Sequence, residues 1–426
     1  MELNRTFPYQ GATYSTTQTA DTLPRHRWYL IKEGFSSKLV EAAIDGASLR
    51  SPDMVFDPFS GCGTVALTAA QHGLSAAGIE VNPFLAFVSQ TKLATCNTQK
   101  LLASSEKVLA AVLKPRPAKS PLEGYSTFSQ SGERSKWLFN SEVLRAFETG
   151  WHATATAGPR QRRFLRLALV KAAMDSCNAT ADGKCLRYRK NWKECAFDRF
   201  SVGESFERYA SNIAEDIDEV RLSGSGIVYS GDARSLITSM RRRFRLCVTS
   251  PPYLNSFDYS DVYRPELFLA NFVKNTAELR RIRLRTIRSH VQVRWEPPTK
   301  SDFGEIYTRT AKDLREVQAN LWDSHIPLMV QAYFEDMSLI LRNLYRLAAK
   351  DAQLWLVVST SAYGGVEIPV DMILAEVAVR SGWYLKEIGI VRHMRHSGHH
   401  WMRLPDKERA EAKLREAVVV LTRIPV

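Results

Sequence analysis

Cysteine is scarce in this chain, with six in 426 residues at positions 62, 96, 177, 185, 195 and 247. None form close pairs of the metal-finger type. Cys177, Cys185 and Cys195 cluster loosely, but their spacings fit no common zinc pattern, so reduced thiols are expected and no metal. Long apolar runs are also missing, and Met1-Glu2-Leu3-Asn4-Arg5-Thr6 lacks the charged-then-apolar build of a secretory signal. A soluble cytoplasmic protein without a membrane partner is the expectation. There are no internal repeats or low-complexity tracts. Acids are in deficit, 45 against 58 Lys and Arg, a formal net charge of +13 that suggests a polyanionic partner. At 45% apolar residues the chain can bury a sizeable core, and its length exceeds one average domain, so a core fold with insertions is expected.

The stretch Leu246-Cys247-Val248-Thr249-Ser250-Pro251-Pro252-Tyr253 is a short apolar run that stops in two prolines and an aromatic ring. Proline cannot donate to a ladder and pushes its predecessor out of the helical region, so the run reads as a buried strand leaving into a loop. In an open α/β sheet, the carboxyl edge of such strands is where ligands bind. The turn holds the Ser250 hydroxyl and the Pro251 carbonyl as two acceptors beside the flat face of Tyr253. An exocyclic amine on a heterocycle needs that set: acceptors for its hydrogens and a ring to clamp it. Taken alone, the stretch also reads as an ordinary Pro-Pro turn ending a strand.

A second stretch, Val55-Phe56-Asp57-Pro58-Phe59-Ser60-Gly61-Cys62-Gly63-Thr64, is a strand entering a glycine turn ahead of a helix over 65–72. Glycines at this spacing let the backbone approach a ligand, with the helix N–H groups pointing at it. About twenty positions on, Ala77-Gly78-Ile79-Glu80-Val81-Asn82-Pro83 ends a strand in an acid, where doubly wound folds place a carboxylate for ribose hydroxyls. A further strand, 226–230, ends in Gly231-Asp232-Ala233.

Together these motifs resemble the S-adenosylmethionine-dependent, amino-methylating DNA methyltransferases. Their signature is Asp, Asn or Ser followed by Pro-Pro-Tyr, and Thr249-Ser250-Pro251-Pro252-Tyr253 looks like the cytosine-N4 branch. The resemblance implies a cofactor site made by Asp57, Pro58, Phe59, Ser60, Gly61, Gly63, Thr64, Glu80, Asn82 and Thr249, with Asp232 facing the adenine amine. It also implies that Phe35 and Ser36 pack against the methionine end; without it, Phe35 reads as a core phenylalanine beside a helix cap. The catalytic residues it implies are Ser250, Pro251, Pro252 and Tyr253. The fold implied is α/β: a Rossmann-like seven-stranded class I methyltransferase sheet with a C-terminal antiparallel hairpin and mostly helical insertions. The cofactor half precedes the amino-acceptor half, the reverse of many cytosine-N4 enzymes.

Along the chain, residues 1–25 read as an N-terminal arm, surface-packed or poorly ordered, and 26–95 as the cofactor-binding half. Residues 96–225 read as a helical insertion without strand signals, in which Arg160, Arg163, Arg187, Arg189 and Lys190 interleave with Tyr188 and Trp192. That mixture suits phosphate contact and base stacking, or equally a solvated helix face. Residues 226–259 carry the catalytic loop, 260–330 form a basic insertion, and 331–426 complete the catalytic domain. Within the basic insertion Arg280, Arg281, Arg283, Arg285, Arg288 and Arg294 crowd together, as like charges do when something anionic lies alongside. Between the last two strands lie Arg392, His393, Arg395, His396, His399, His400 and Arg403, read as phosphate donors in preference to a metal site.

The expected activity is methylation of the N4 amine of cytosine in double-stranded DNA, with a flipped target base and a cognate restriction nuclease as candidate partner. Adenine-N6 methylation, RNA base methylation and non-catalytic nucleic-acid binding are the alternatives.

Overall fold

The structure, a computed structural model, describes residues 1–117, 119–131, 135–182, 185–394 and 414–425, with nothing described of the side chains at 18 and 19. Eight strands form the central sheet: β1 (Leu3–Asn4), β2 (Met54–Asp57), β3 (Ser75–Glu80), β4 (Ser225–Ser230), β5 (Phe244–Thr249), β6 (Ala348–Ser359), β7 (Tyr384–His393) and β8 (Arg415–Thr422). Their order is β1-β7-β8-β6-β5-β2-β3-β4. The block β4-β3-β2-β5-β6 is parallel, and β8 runs antiparallel to both β6 and β7. Leaving β1 aside, this is the seven-stranded Rossmann-like methyltransferase sheet with its closing hairpin.

The central strands are buried on both faces, and their side chains alternate between two cores. Val55, Leu246 and Val248 join Leu39, Val40, Val65 and Ala69 of the helices Ser37–Gly46 and Thr64–Gln71. Phe56 and Cys247 join the opposite core with Met329, Tyr333 and Met337 of the helix Ile326–Leu347. The chain order reverses between β2 and β5. Both strands therefore end on one rim at a topological switch point, where the crevice of such sheets lies.

Two expectations need correction. The N-terminal arm is built into the fold: Leu3 pairs with Ile388 to add an eighth, edge strand, and Phe7 is buried against Gly389. Arg25 is 1% exposed, its guanidinium donating to the carbonyls of Lys92, Ala94 and Val220. Polar composition concealed single anchors that need no periodicity. The insertion 96–225 does contain strands, a hairpin pairing Ala179–Ala181 with Leu186–Tyr188, each arm too short to show alternation. Its longer described elements are helices, Thr98–Val112, Ser141–Ala153, Pro159–Asp175 and Arg199–Glu219, which share an apolar core. Among the described residues no helix is long and apolar enough to cross a membrane.

Candidate active site

β2 ends at Asp57, whose Oδ1 accepts from the Phe59 N–H at 2.9 Å and the Thr249 hydroxyl at 2.7 Å. One carboxylate thus ties the glycine turn to the end of β5. The turn passes through Gly61 (φ 51°) and Gly63 (φ 86°), left-handed values that favour glycine. A Cβ at Gly61 would stand 2.9 Å from Ile31 Cδ1, and one at Gly63 2.9 Å from Ser89. The Ser89 hydroxyl donates to the Gly61 carbonyl at 2.7 Å, and Asn82 caps the helix Pro83–Lys92 that carries it.

Glu80, at the end of β3, accepts from the Gly61 N–H and the Asn82 N–H, both at 2.8 Å. Burial pushes its carboxyl up to about 7, against the pull of those backbone donors. Asp57 is likewise pushed up to about 7 by burial, opposed by its bonds to Thr249 and Phe59. Two buried carboxylates that, among the described residues, have no basic side chain in hydrogen-bond contact make this rim ready for hydroxyl donors or for positive charge. Asp232 differs: it caps the helix Ala233–Ser239 and pairs with Arg234 at 2.7 Å, which also holds Asp336 at 2.9 Å.

At the end of β5, the Tyr253 hydroxyl donates to Glu416 of β8, whose other oxygen takes the Arg392 Nε at 2.6 Å. The Leu254 carbonyl accepts from Tyr363 at 3.1 Å and from Ser361, anchoring the loop to the hairpin of Ser361–Tyr363 and Val366–Ile368.

A single cavity of about 340 Å³ is lined by Phe35, residues 57–61, Thr64, Glu80, Asn82 and Asp232 together with all of Ser250, Pro251, Pro252 and Tyr253. The glycine bend and the proline bend therefore share one rim. Three expected cofactor residues stand outside its wall. Ser36 caps the helix Ser37–Gly46, Gly63 supports the turn, and Thr249 is a wholly buried strut for Asp57.

The arginines expected to meet nucleic acid divide. Arg280, Arg281 and Arg285 are exposed, and Arg285 also lines the cavity. Arg283 is paired with Asp258 at 2.5 Å, and Arg288 with Glu335 at 2.6 Å and Asp336 at 2.8 Å. The crowding that suggested an outside anion is met for these two by acids distant in sequence. Arg392 is committed to Glu416; Arg395, with His396, His399, His400 and Arg403, lies outside the described residues.

Sequence reasoning missed several cavity or near-cavity groups. Glu33 accepts from Tyr263 at 2.7 Å, burial raising its carboxyl above the usual range. Asn255 and His290 come from loops, and Tyr259 opens the helix Tyr259–Val262, too short to show a period. Glu416 had one available signal, a charge pair Arg415-Glu416 opening a strand otherwise wholly apolar to Leu421, yet both are under 10% exposed.

Strand order and cavity together define an α/β protein of the methyltransferase type, its crevice open at the switch point. Curated relatives agree. The chain is 24% identical over 408 residues to the Type II methyltransferase M.AvaI of Nostoc sp., spanning 87% of this chain and 81% of that protein. It is 25% identical over 406 residues to M.BsoBI of Geobacillus stearothermophilus, spanning 84% and 78%. A local match, 35% identical over 86 residues, covers 20% of this chain and 19% of an uncharacterized RNA methyltransferase of Lactiplantibacillus plantarum. No family model matches. Among solved structures, TrmN from Thermus thermophilus covers 95% of this chain and 53% of its own at 10% identity, with a TM-score of 0.31, too low to bear on the fold.

Proposed function

We propose that the chain is a site-specific DNA methyltransferase that uses S-adenosylmethionine to methylate the exocyclic N4 amine of cytosine. The observation that carries this reading is the shared cavity: the glycine turn after β2 and the Ser250–Tyr253 loop after β5 line one space. The similarity to the Type II methyltransferases M.AvaI and M.BsoBI supports DNA as the polymer and a restriction nuclease as functional partner.

The donor set suits the cofactor. Glu80 accepts ribose hydroxyls, the backbone at Gly61 approaches closely because no Cβ intervenes, and Asp232 takes the adenine edge. When bound, S-adenosylmethionine supplies a methyl group on a sulfonium, open to direct displacement. Ser250 Oγ and the Pro251 carbonyl accept the two hydrogens of the cytosine amine, which draws its lone pair out of ring conjugation and toward the methyl. Tyr253 stacks on the base and restricts it to the reacting plane. A base inside a duplex does not reach such a cavity, so the nucleotide is flipped out. Arg280, Arg281 and Arg285 then contact the phosphates.

Incubating the protein with plasmid DNA and labelled cofactor, digesting to nucleosides and mapping the modified positions tests the assignment. N4-methylcytosine at one recurring sequence is the expected product. N6-methyladenine would reassign the base. The local similarity to an RNA methyltransferase makes transfer RNA the natural competitor substrate, and preferential labelling of RNA over duplex DNA would overturn the choice of polymer. Ser250→Ala should lower kcat by about 10²-fold, the cost of one misplaced electrostatic partner. A wild-type rate in that variant would eliminate the mechanism.

A further inference from the structure

The amine is only one part of the edge that cytosine presents. The ring nitrogen beside it, N3, is an acceptor, and on leaving water it must meet a donor or go without a hydrogen bond. Ser250 and the Pro251 carbonyl act as acceptors in the reaction proposed above, so that donor has to come from elsewhere. Two residues beyond Tyr253 the chain supplies one. Asn255 is half-buried in the cavity wall, and its Oδ1 accepts from the Phe257 N–H at 3.3 Å. A backbone N–H only donates, so this bond fixes which end of the amide is oxygen. The Nδ2 at the other end carries two hydrogens. One goes to the Tyr259 hydroxyl at 3.4 Å, and the second has no partner among the described residues. The backbone around it is already set: the Asn255 N–H donates to the Tyr253 carbonyl at 2.8 Å, the Ser256 N–H to the Ser289 carbonyl at 3.0 Å, and the Leu254 carbonyl accepts from Tyr363 at 3.1 Å. A donor held in this way needs little ordering when a base arrives.

We propose that Asn255 is a specificity-determining residue that donates its second Nδ2 hydrogen to the ring nitrogen next to the amine being methylated. The inference rests on the function proposed above and deepens it. Two acceptors for the amine and one donor for the ring nitrogen match the order of groups on cytosine. Thymine and uracil reverse that order with O4 and N3–H, and are rejected because two donors would face each other. Adenine offers the same order through N6 and N1, so N6-methyladenine as the product would change the base and leave the role of Asn255 standing. The Oδ1 bond to Phe257 also makes an Asx turn, which aspartate forms equally well. Asn255→Asp therefore separates the two roles: it keeps acceptor oxygens for the Phe257 N–H and the Tyr259 hydroxyl and removes both side-chain donors.

The test compares wild type and Asn255→Asp on duplexes carrying cytosine or 3-deazacytosine at the target position, the analogue replacing N3 by C–H and keeping the amine. On cytosine the variant should lose about 10- to 100-fold in kcat/KM, with the calorimetric Kd for S-adenosylmethionine within about threefold of wild type. On 3-deazacytosine the ratio of wild type to variant should fall to about one, because the same bond cannot be lost twice; the intrinsic reactivity of the analogue's amine cancels in that ratio. A ratio equal on the two bases overturns the proposal and leaves Asn255 a turn residue only. A wild-type rate for Asn255→Asp on cytosine overturns it as well. If the wild-type protein methylates adenine instead, 1-deazaadenine takes the place of 3-deazacytosine with the same two outcomes. A wild-type protein that methylates neither base in DNA overturns the function itself, and this inference with it.

Discussion

Glu80 and Asp57 show how much a single buried carboxyl can decide. Both are pushed up to about 7 by burial, so near neutrality each is partly protonated in the free protein. A ligand with positive charge binds the ionised forms better and must displace those protons. Affinity for S-adenosylmethionine should therefore rise between about pH 6 and 8 and level off above, with protons released on binding. Calorimetry in buffers of different ionisation enthalpy measures both, and affinity that is flat with pH would refute the coupling. Glu80→Gln removes a charged acceptor and should weaken cofactor binding by about 1.5–3 kcal/mol, roughly 10- to 150-fold in Kd. The arginines separate by the same reasoning. Arg283→Ala leaves the buried Asp258 without its cation and should cost about 3 kcal/mol in chemical denaturation, whereas Arg288→Ala takes the cation from Glu335 but leaves Asp336 paired with Arg234 and should cost about 1–3 kcal/mol. Arg280→Ala and Arg281→Ala, at exposed positions, should leave stability within about 0.5 kcal/mol of wild type while weakening DNA binding. The text of the chain gave no means to sort these four, because their partners lie along a distant helix and loop.

Among the elements, two glycines carry most of the geometry. Gly63 has a left-handed φ of 86° and would place a Cβ 2.9 Å from Ser89, the residue whose hydroxyl holds the Gly61 carbonyl. Gly63→Ala should cost at least about 1–2 kcal/mol in denaturation and loosen cofactor binding with it, since the turn and the helix Pro83–Lys92 move apart together. Gly389 on β7 is extended, and its constraint is packing: an added Cβ would meet the Phe7 ring at 2.3 Å. Gly389→Ala should expel Phe7 and release β1, at about 1–3 kcal/mol, seen as faster hydrogen exchange of the Leu3 and Asn4 amides. Unchanged protection there would mean that the edge strand does not depend on Phe7. The first of these glycines was readable, because a Gly-x-Gly between strand and helix has a known backbone use. The second was not, because the ring it accommodates belongs to a segment 382 residues earlier.

At the scale of the whole molecule, the formal charge of +13 predicts nucleic-acid affinity that falls steeply with salt. Combining Arg280→Ala, Arg281→Ala and Arg285→Ala should flatten the slope of log K against log salt by about 3, measured on duplex DNA by fluorescence anisotropy. An unchanged slope would move the DNA-contacting face elsewhere. The order of strand ends, the glycine and proline bends and the acid after β3 were all legible in the chain. Each is a local pattern in which a few neighbouring residues must satisfy their own backbone. The sequence alone thereby determined the sheet, its rim and the residue types that meet there. Only the folded molecule decided which acids neutralise Arg283 and Arg288, that residues 1–25 complete the sheet and pack into its core, and that Glu416 of the last strand reaches Tyr253. Those contacts join positions tens to hundreds of residues apart, and no local periodicity records a partner that only chain closure brings within 3 Å.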